Sequence, residues 1–162
     1  MLDAVPAQVD TVQVEHLRVA FTLNFARYTA WPDGAAADSF RLCVQGGESL
    51  FAAFSQADGT LIRGRPVRLR RILRAAEAVQ CDLLYSGGSE VDRAWLQPLS
   101  ALPVLTIGDH PAFIANGGTI RLSTTGQRVQ FDINLPQAER ARLVLSPQLL
   151  RLARSIVTDK GS

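Results

Sequence analysis

Histidine and cysteine are scarce in this 162-residue chain, two of each, and His16, His110, Cys43 and Cys81 are spaced too widely for a tetrahedral zinc site. The sequence also lacks a Gly-x-Ser-x-Gly elbow, a phosphate loop, a Gly-x-Gly-x-x-Gly fingerprint, a Cys-x-x-Cys pair and a His-Glu-x-x-His motif. No catalytic residues, metal or cofactor are therefore assigned. Long apolar runs are missing too: none approaches the roughly 18–20 residues of a membrane span. The N-terminus Met1-Leu2-Asp3-Ala4-Val5-Pro6 has no basic segment followed by an apolar one. This reads as a chain without direct membrane insertion. Methionine occurs once, at Met1, as expected of a start codon placed ahead of a mature sequence whose export signal was trimmed. A cytoplasmic protein with two incidental thiols would look the same.

Lysine is nearly absent as well, with Lys160 the only one, so arginine carries the positive charge. Seventeen basic residues against fifteen acidic ones give no general affinity for polyanions. Arg63, Arg65, Arg68, Arg70, Arg71 and Arg74 crowd one stretch without interleaved aromatics, which argues against nucleic acid as a partner. An edge strand whose outward charges deter further pairing explains them better. At 47% hydrophobic and 20% charged, the chain is sized for one domain over residues 1–162, with an ordered core from about residue 9 to 158.

The periodicity predicts a long helix from about Val9 to Ala30, stopped at Trp31-Pro32-Asp33-Gly34. Val14, Leu17, Phe21, Phe25 and Tyr28 form one apolar stripe along it; Val12, Val19, Leu23, Ala26 and Ala30 form a second on the opposite side. Either a helix of the same domain covers the second stripe or it is a partner surface, which makes Val12, Val19, Leu23 and Ala26 partner-binding candidates. Strands are predicted at Phe40-Arg41-Leu42-Cys43-Val44, over residues 66–72, at Cys81-Asp82-Leu83-Leu84-Tyr85 and at Pro103-Val104-Leu105-Thr106-Ile107, with short helices over residues 48–55 and 90–99. Thr119 to Ser123 and Gln127 to Ile133 alternate strictly and read as a hairpin. Ser146-Pro147 caps a last helix that would bury Leu149, Leu152, Ala153 and Ile156. The fold class is α/β: three layers, a mostly parallel sheet flanked by helices, with a C-terminal antiparallel hairpin.

His16 reads as a structural residue of the first helix and His110 as a loop residue; adjacent Asp109 and His110 are not a triad. Ser86-Gly87-Gly88 and Asn116-Gly117-Gly118 read mainly as ordinary turns, with an anion-wrapping role as the alternative. Arg142, Arg151 and Arg154 are ligand-binding candidates for a phosphate or carboxylate, against the simpler reading of solvated helix faces. Cys43 and Cys81 lie in what read as the first and third strands, often neighbours in a βαβ sheet. Spacing leaves both a disulfide, with the oxidising compartment it requires, and buried free thiols open.

The runs Leu23-Asn24-Phe25-Ala26-Arg27-Tyr28-Thr29-Ala30-Trp31-Pro32, Phe40-Arg41-Leu42-Cys43-Val44, Gly117-Gly118-Thr119-Ile120-Arg121-Leu122, Val129-Gln130-Phe131-Asp132-Ile133-Asn134-Leu135 and Leu145-Ser146-Pro147-Gln148-Leu149-Leu150-Arg151-Leu152-Ala153, in this order over nearly the whole chain, resemble the YfiR family. The resemblance implies a periplasmic α/β protein that binds the periplasmic domain of an inner-membrane diguanylate cyclase and holds it inactive, so that losing the repressor raises cyclic di-GMP and favours biofilm. It implies a homodimer, and a stabilising disulfide whose cysteines match Cys43 and Cys81. A second cysteine pair known in that family has no counterpart here. Members also resemble sensor domains fused to membrane kinases, so an extracytoplasmic small-ligand sensor domain of a membrane signalling protein is the alternative.

Overall fold

A computed structural model describes residues 6–32, 38–126 and 128–158, with side chains from residue 13 onward. Asp33, Gly34, Gln127, Lys160 and the side chain of Val12 lie outside the described residues. In chain order the elements are α1 (Pro6–Arg27), β1 (Thr29–Ala30), β2 (Phe40–Gln45), α2 (Glu48–Ser55), β3 (Leu61–Ile62), β4 (Arg65–Arg71), α3 (Ala75–Ala78), β5 (Leu83–Ser86), α4 (Arg93–Leu96) and a 3-10 turn (Gln97–Leu99). They continue with β6 (Leu105–Gly108), β7 (Ile120–Thr125), β8 (Arg128–Asn134), α5 (Leu135–Arg140), β9 (Val144–Leu145), α6 (Pro147–Leu152) and β10 (Ser155–Val157).

Eight strands form one sheet in the order β10-β8-β7-β6-β5-β2-β4-β3. Only the β7–β8 hairpin and the short β3–β4 pair are antiparallel. Within the parallel part the order β4-β2-β5-β6 places the second parallel strand outside the first, as in doubly wound sheets. Alternation along the strands divides the core between the two faces. Leu42, Val44, Leu83, Tyr85, Ile120 and Phe131 pack with Phe25 and Ala26 of α1, Phe54 of α2 and Leu149 of α6. Cys43 and Leu84 point the other way, among Ile72, Ala78, Leu96, Leu99 and Phe113. The sheet therefore lies between helices on both sides, as the alternation of strands and helices predicts.

Close approach requires glycine at two positions beside Phe113. A Cβ on Gly108 would lie 2.6 Å from the Phe113 ring and one on Gly118 2.1 Å, so only bare backbone lets the ring seat between β6 and the start of β7. On the opposite face Phe25 meets Phe131 edge-on at 4.8 Å and ties α1 to β8.

Several boundaries differ from the sequence expectation, because a tertiary partner or a local cap wins over propensity. The first helix ends at Arg27 rather than Ala30, since Thr29 and Ala30 pair with Leu145 and Val144 in a separate two-stranded sheet. The helix expected over residues 90–99 starts only at Arg93, where the Asp92 carboxylate accepts the Trp95 N–H at 3.0 Å. The arginine-rich strand β4 is second from the edge rather than outermost. Its outer side nonetheless meets β3 only at Arg65 and Pro66, with the Gly59–Val67, Thr60–Val67 and Asp58–Leu69 hydrogen bonds beyond, so Arg70 and Arg71 border an open edge.

The largest correction concerns the last helix. Ser146 and Pro147 start it as expected, the serine hydroxyl accepting the Leu149 N–H at 3.1 Å. It then stops at Leu152 because Ala153 is extended (φ −68°, ψ 141°). The chain continues as β10, parallel to β8, which leaves Leu152 69% and Ile156 38% exposed instead of buried. Asp132 fastens this strand, accepting from Arg154 at 3.0 and 2.6 Å and from the Ser155 hydroxyl at 2.7 Å. Burial opposes the Asp132 charge, but the hydrogen bonds from Arg154 and Ser155 and the charges of Arg154 and Arg121 outweigh it and hold its pKa below the usual carboxylate value. A carboxyl depressed in the folded state stabilises the fold above its unfolded pKa, and that stability disappears as the pH falls through the folded value. Asp132→Asn is expected to flatten the acid limb of the stability curve below about pH 4; urea melts from pH 2 to 7 check this, and an unchanged limb would refute it.

Candidate functional site

Open α/β sheets take ligands beyond the carboxyl ends of their strands, where the strand order reverses. Here that point lies between β2 and β5, and the chain fills it with its own side chains. The Gln45 amide donates to Glu90 at 3.2 Å and its oxygen accepts from the Ser86 hydroxyl at 3.4 Å. Leu50 of α2 lies across Gly46 and Gly87, whose added Cβ atoms would meet its Cδ2 at 2.8 and 2.4 Å. Beside it, Asp109 accepts from the Gly88 N–H at 3.2 Å and the Tyr85 hydroxyl at 3.3 Å, and pairs with Arg18 of α1 at 3.4 Å. Burial, reinforced by the Asp109 charge, pushes the Tyr85 pKa far above its ordinary value, so the phenol is a fixed donor rather than a base.

The two glycine turns are occupied in the same way. Gly87 donates to the Gln45 carbonyl, Gly117 to that of Ile114 and Gly118 to that of Phe113, leaving no cradle of outward amides for an anion. His110 accepts the Ala112 N–H at Nδ1 (3.1 Å) and so shapes its own loop. His16 stands exposed on α1.

Two features at the other side of the molecule are built more firmly. Cys43 and Cys81 form a disulfide with Cα atoms 6.0 Å apart, tying the middle of β2 to the residues just before β5. Directly after it, the Asp82 side chain is only 3% exposed. It accepts from the Arg41 N–H at 2.9 Å and from the Arg41 guanidinium at 3.3 and 3.1 Å, with Arg65 at 3.9 Å. The Asp82 carbonyl takes the Trp31 indole N–H at 3.1 Å, and Arg65 lies over the Phe40 ring at 5.5 Å. The disulfide and this carboxylate together lock β2, β4 and β5 in register.

Beside this lock lies α3, flanked by two outward apolar side chains, Leu73 (74% exposed) and Val79 (41% exposed). Glu77 holds the segment by accepting the Leu73 and Arg74 N–H groups at 2.9 and 3.0 Å, and these bonds keep its pKa below the ordinary value. Arg70 pairs with Glu77 at 3.6 Å, and Arg68, Arg71 and Arg74 are exposed nearby in sequence. Sequence reasoning missed this patch. Its signal was a leucine directly after buried Ile72 in a run otherwise rich in arginine.

The residues singled out from sequence are placed elsewhere. Val19 and Ala26 are buried in the core and Leu23 is half-buried against it, so these three side chains pack inward within the chain itself. Ala30 belongs to β1, and the Val12 side chain is outside the described residues. Arg142, Arg151 and Arg154 are not presented as one helical set: Arg142 sits in the turn after α5 with φ 60°, Arg151 is exposed on α6, and Arg154 lies on the extended chain engaged with Asp132.

Residues 15–154 match the model of the family described as YfiR/HmsC-like. Among solved structures, a conserved domain protein from Vibrio cholerae O1 biovar El Tor superposes with a TM-score of 0.59 at 11% identity, over 90% of this chain and 60% of that one. The ABC domain in complex with L-Trp from Streptococcus pneumonia superposes with a TM-score of 0.55 at 8% identity, over 86% of this chain and 60% of that one. The chain thus spans about 60% of the length of each, and at these identities the likeness is one of fold.

Proposed function

This chain belongs to the YfiR/HmsC-like family, and on that premise we propose that it is a periplasmic regulatory protein that binds the periplasmic domain of an inner-membrane diguanylate cyclase and represses it, lowering cyclic di-GMP and biofilm formation. The family match over residues 15–154 carries the reading. The Cys43–Cys81 bond supports the compartment, since disulfides persist where the surroundings are oxidising. The filled switch-point crevice supports action by contact rather than by turnover. Among the described residues no helix is long and apolar enough to cross a membrane. A homodimer is part of the same proposal.

A repressor of this kind needs a rigid body and a patch that its partner covers. We place the patch at Leu73 and Val79, apolar side chains held out by an ordered turn, bordered by arginines and set beside the disulfide. The matching cyclase surface is then apolar at its centre and acidic at its rim. Leu73→Asp combined with Val79→Asp is expected to weaken capture of the periplasmic domain about tenfold or more, as for a hot spot, with the melting temperature unchanged. Calorimetry with the two purified proteins checks it; undiminished binding by the double variant refutes the placement, and no binding by the folded, oxidised parent refutes the function.

A further inference from the structure

A cleft of about 670 Å³ opens between α4, the 3-10 turn, the turn at residues 116–117 and α5, with Arg93, Leu96, Gln97, Asn116, Gln137 and Arg140 on its walls. The volume falls within the range of small-molecule sites. Its apolar lining is the exposed Ala94 and the edge of Leu96, which is otherwise packed into the core beneath.

The two arginines come from different elements and are held by neutral oxygens. Arg93 donates from Nη2 to the Ala115 carbonyl at 2.9 Å. Arg140 donates from Nε to the Gln137 side-chain oxygen at 3.2 Å. Gln137 is itself buried and fixed, its amide donating to the Ser100 carbonyl at 2.9 Å and its backbone N–H to Asn134 at 3.3 Å. Each guanidinium therefore keeps further N–H groups for something else. No carboxylate lines the cleft, and among the described residues neither arginine makes an ion pair. Arg18, Arg41, Arg70, Arg121 and Arg154 all do. Two unneutralised guanidiniums on a concave wall concentrate positive potential there, and their planar forks match the oxygens of a carboxylate or phosphate.

We propose that this cleft binds a small molecule bearing one oxyanion group, a carboxylate or a phosphate, on a compact apolar body that rests against Ala94 and the edge of Leu96. The oxyanion sits between Arg93 and Arg140, with Gln97 and Asn116 as neutral donors beside it. This places anion recognition on α4 and α5, away from the C-terminal arginines, and it stands independently of the cyclase reading.

Titration of the full, oxidised chain with benzoate, phenyl phosphate and the neutral isostere benzamide, followed by amide chemical shifts, tests it. Saturable shifts at residues 93–100, 116–117 and 137–140 are expected with at least one oxyanion at millimolar concentration, and none with benzamide. Whichever oxyanion binds identifies the group taken. Arg93→Gln and Arg140→Gln are each expected to weaken binding about tenfold, while Arg128→Gln on the hairpin leaves it unchanged. Absence of shifts with both oxyanions, or equal shifts with benzamide, overturns the proposal on the unmodified chain alone. Full binding by folded Arg93→Gln/Arg140→Gln overturns it as well.

Discussion

Replacing Cys43 and Cys81 together by alanine, or reducing the bond between them, is expected to lower the melting temperature by roughly 10 °C. The bond closes a loop with a sequence separation of 38, and loop-closure entropy for that length amounts to about 4 kcal/mol. For a chain of this size 1 kcal/mol moves the midpoint by about 2–4 °C. The geometry makes the loop vulnerable once opened. It contains α2, β3, β4 and α3, and β4 is held by β2 on one side and on the other by a two-residue strand and the few hydrogen bonds from residues 58–60. With the bond broken, α3 and its flanking Leu73 and Val79 are tethered through β4 and the residues leading into β5. Partner binding should therefore weaken along with stability. Differential scanning of the oxidised and reduced protein checks the claim, and coincident melting temperatures would show that the bond is not the stabiliser.

Asp82→Ala is expected to cost about 3 kcal/mol, the low end of the range for removing one partner of a buried ion pair. The low end applies because Arg41 is 42% exposed and recovers water when its partner goes. What cannot rehydrate easily is the Arg41 N–H, which loses its acceptor inside the sheet. Arg41→Ala should accordingly cost less, about 1 kcal/mol, because the backbone bond to Asp82 survives and Arg65 remains within 3.9 Å of the carboxylate. Urea unfolding of the two variants distinguishes these outcomes. Equal losses, or an Asp82→Ala variant as stable as the parent, would contradict the role assigned to this carboxylate.

What was legible from residues alone is what local chemistry determines. Apolar runs such as Cys81 to Tyr85 and Pro103 to Ile107, bounded by glycines, marked buried parallel strands. Alternation around Gly126 marked the hairpin, and Ser146-Pro147 marked a helix start. The clustered arginines of β4 pointed to the edge strand itself, but the short β3 lies outside it, because nothing in Leu61-Ile62 marks a strand before β4 is there to pair with. The elements that were missed, β1, β3, α3, β9 and β10, run two to four residues each, and nothing in Thr29-Ala30 or Ser155-Ile156-Val157 specifies a strand until the partner is present. The last helix was overextended for the same reason: the pull on residues 154–157 comes from β8 and Asp132, more than twenty positions away.

The proposed functional surface is less legible than the fold. Val19 and Ala26 were candidate contact residues because α1 is apolar on two sides, but a helix apolar on two sides can be one that the rest of the chain covers twice. Arg154 was a candidate anion ligand because three arginines fall close together in sequence, yet its carboxylate partner is 22 residues away. Nothing in the sequence links Arg93 to Arg140, because a chain topology that brings α4 beside α5 is required before they wall one cleft.

The proposed repression is one of contact by a disulfide-locked body. Adding the purified, oxidised chain to membranes bearing each inner-membrane diguanylate cyclase of the same organism in turn, and following cyclic di-GMP synthesis, tests it most directly. One cyclase is expected to slow in proportion to the added chain and to recover its rate when the Leu73→Asp/Val79→Asp variant is used instead. Unchanged synthesis by every one of them in the presence of folded, oxidised protein would contradict it.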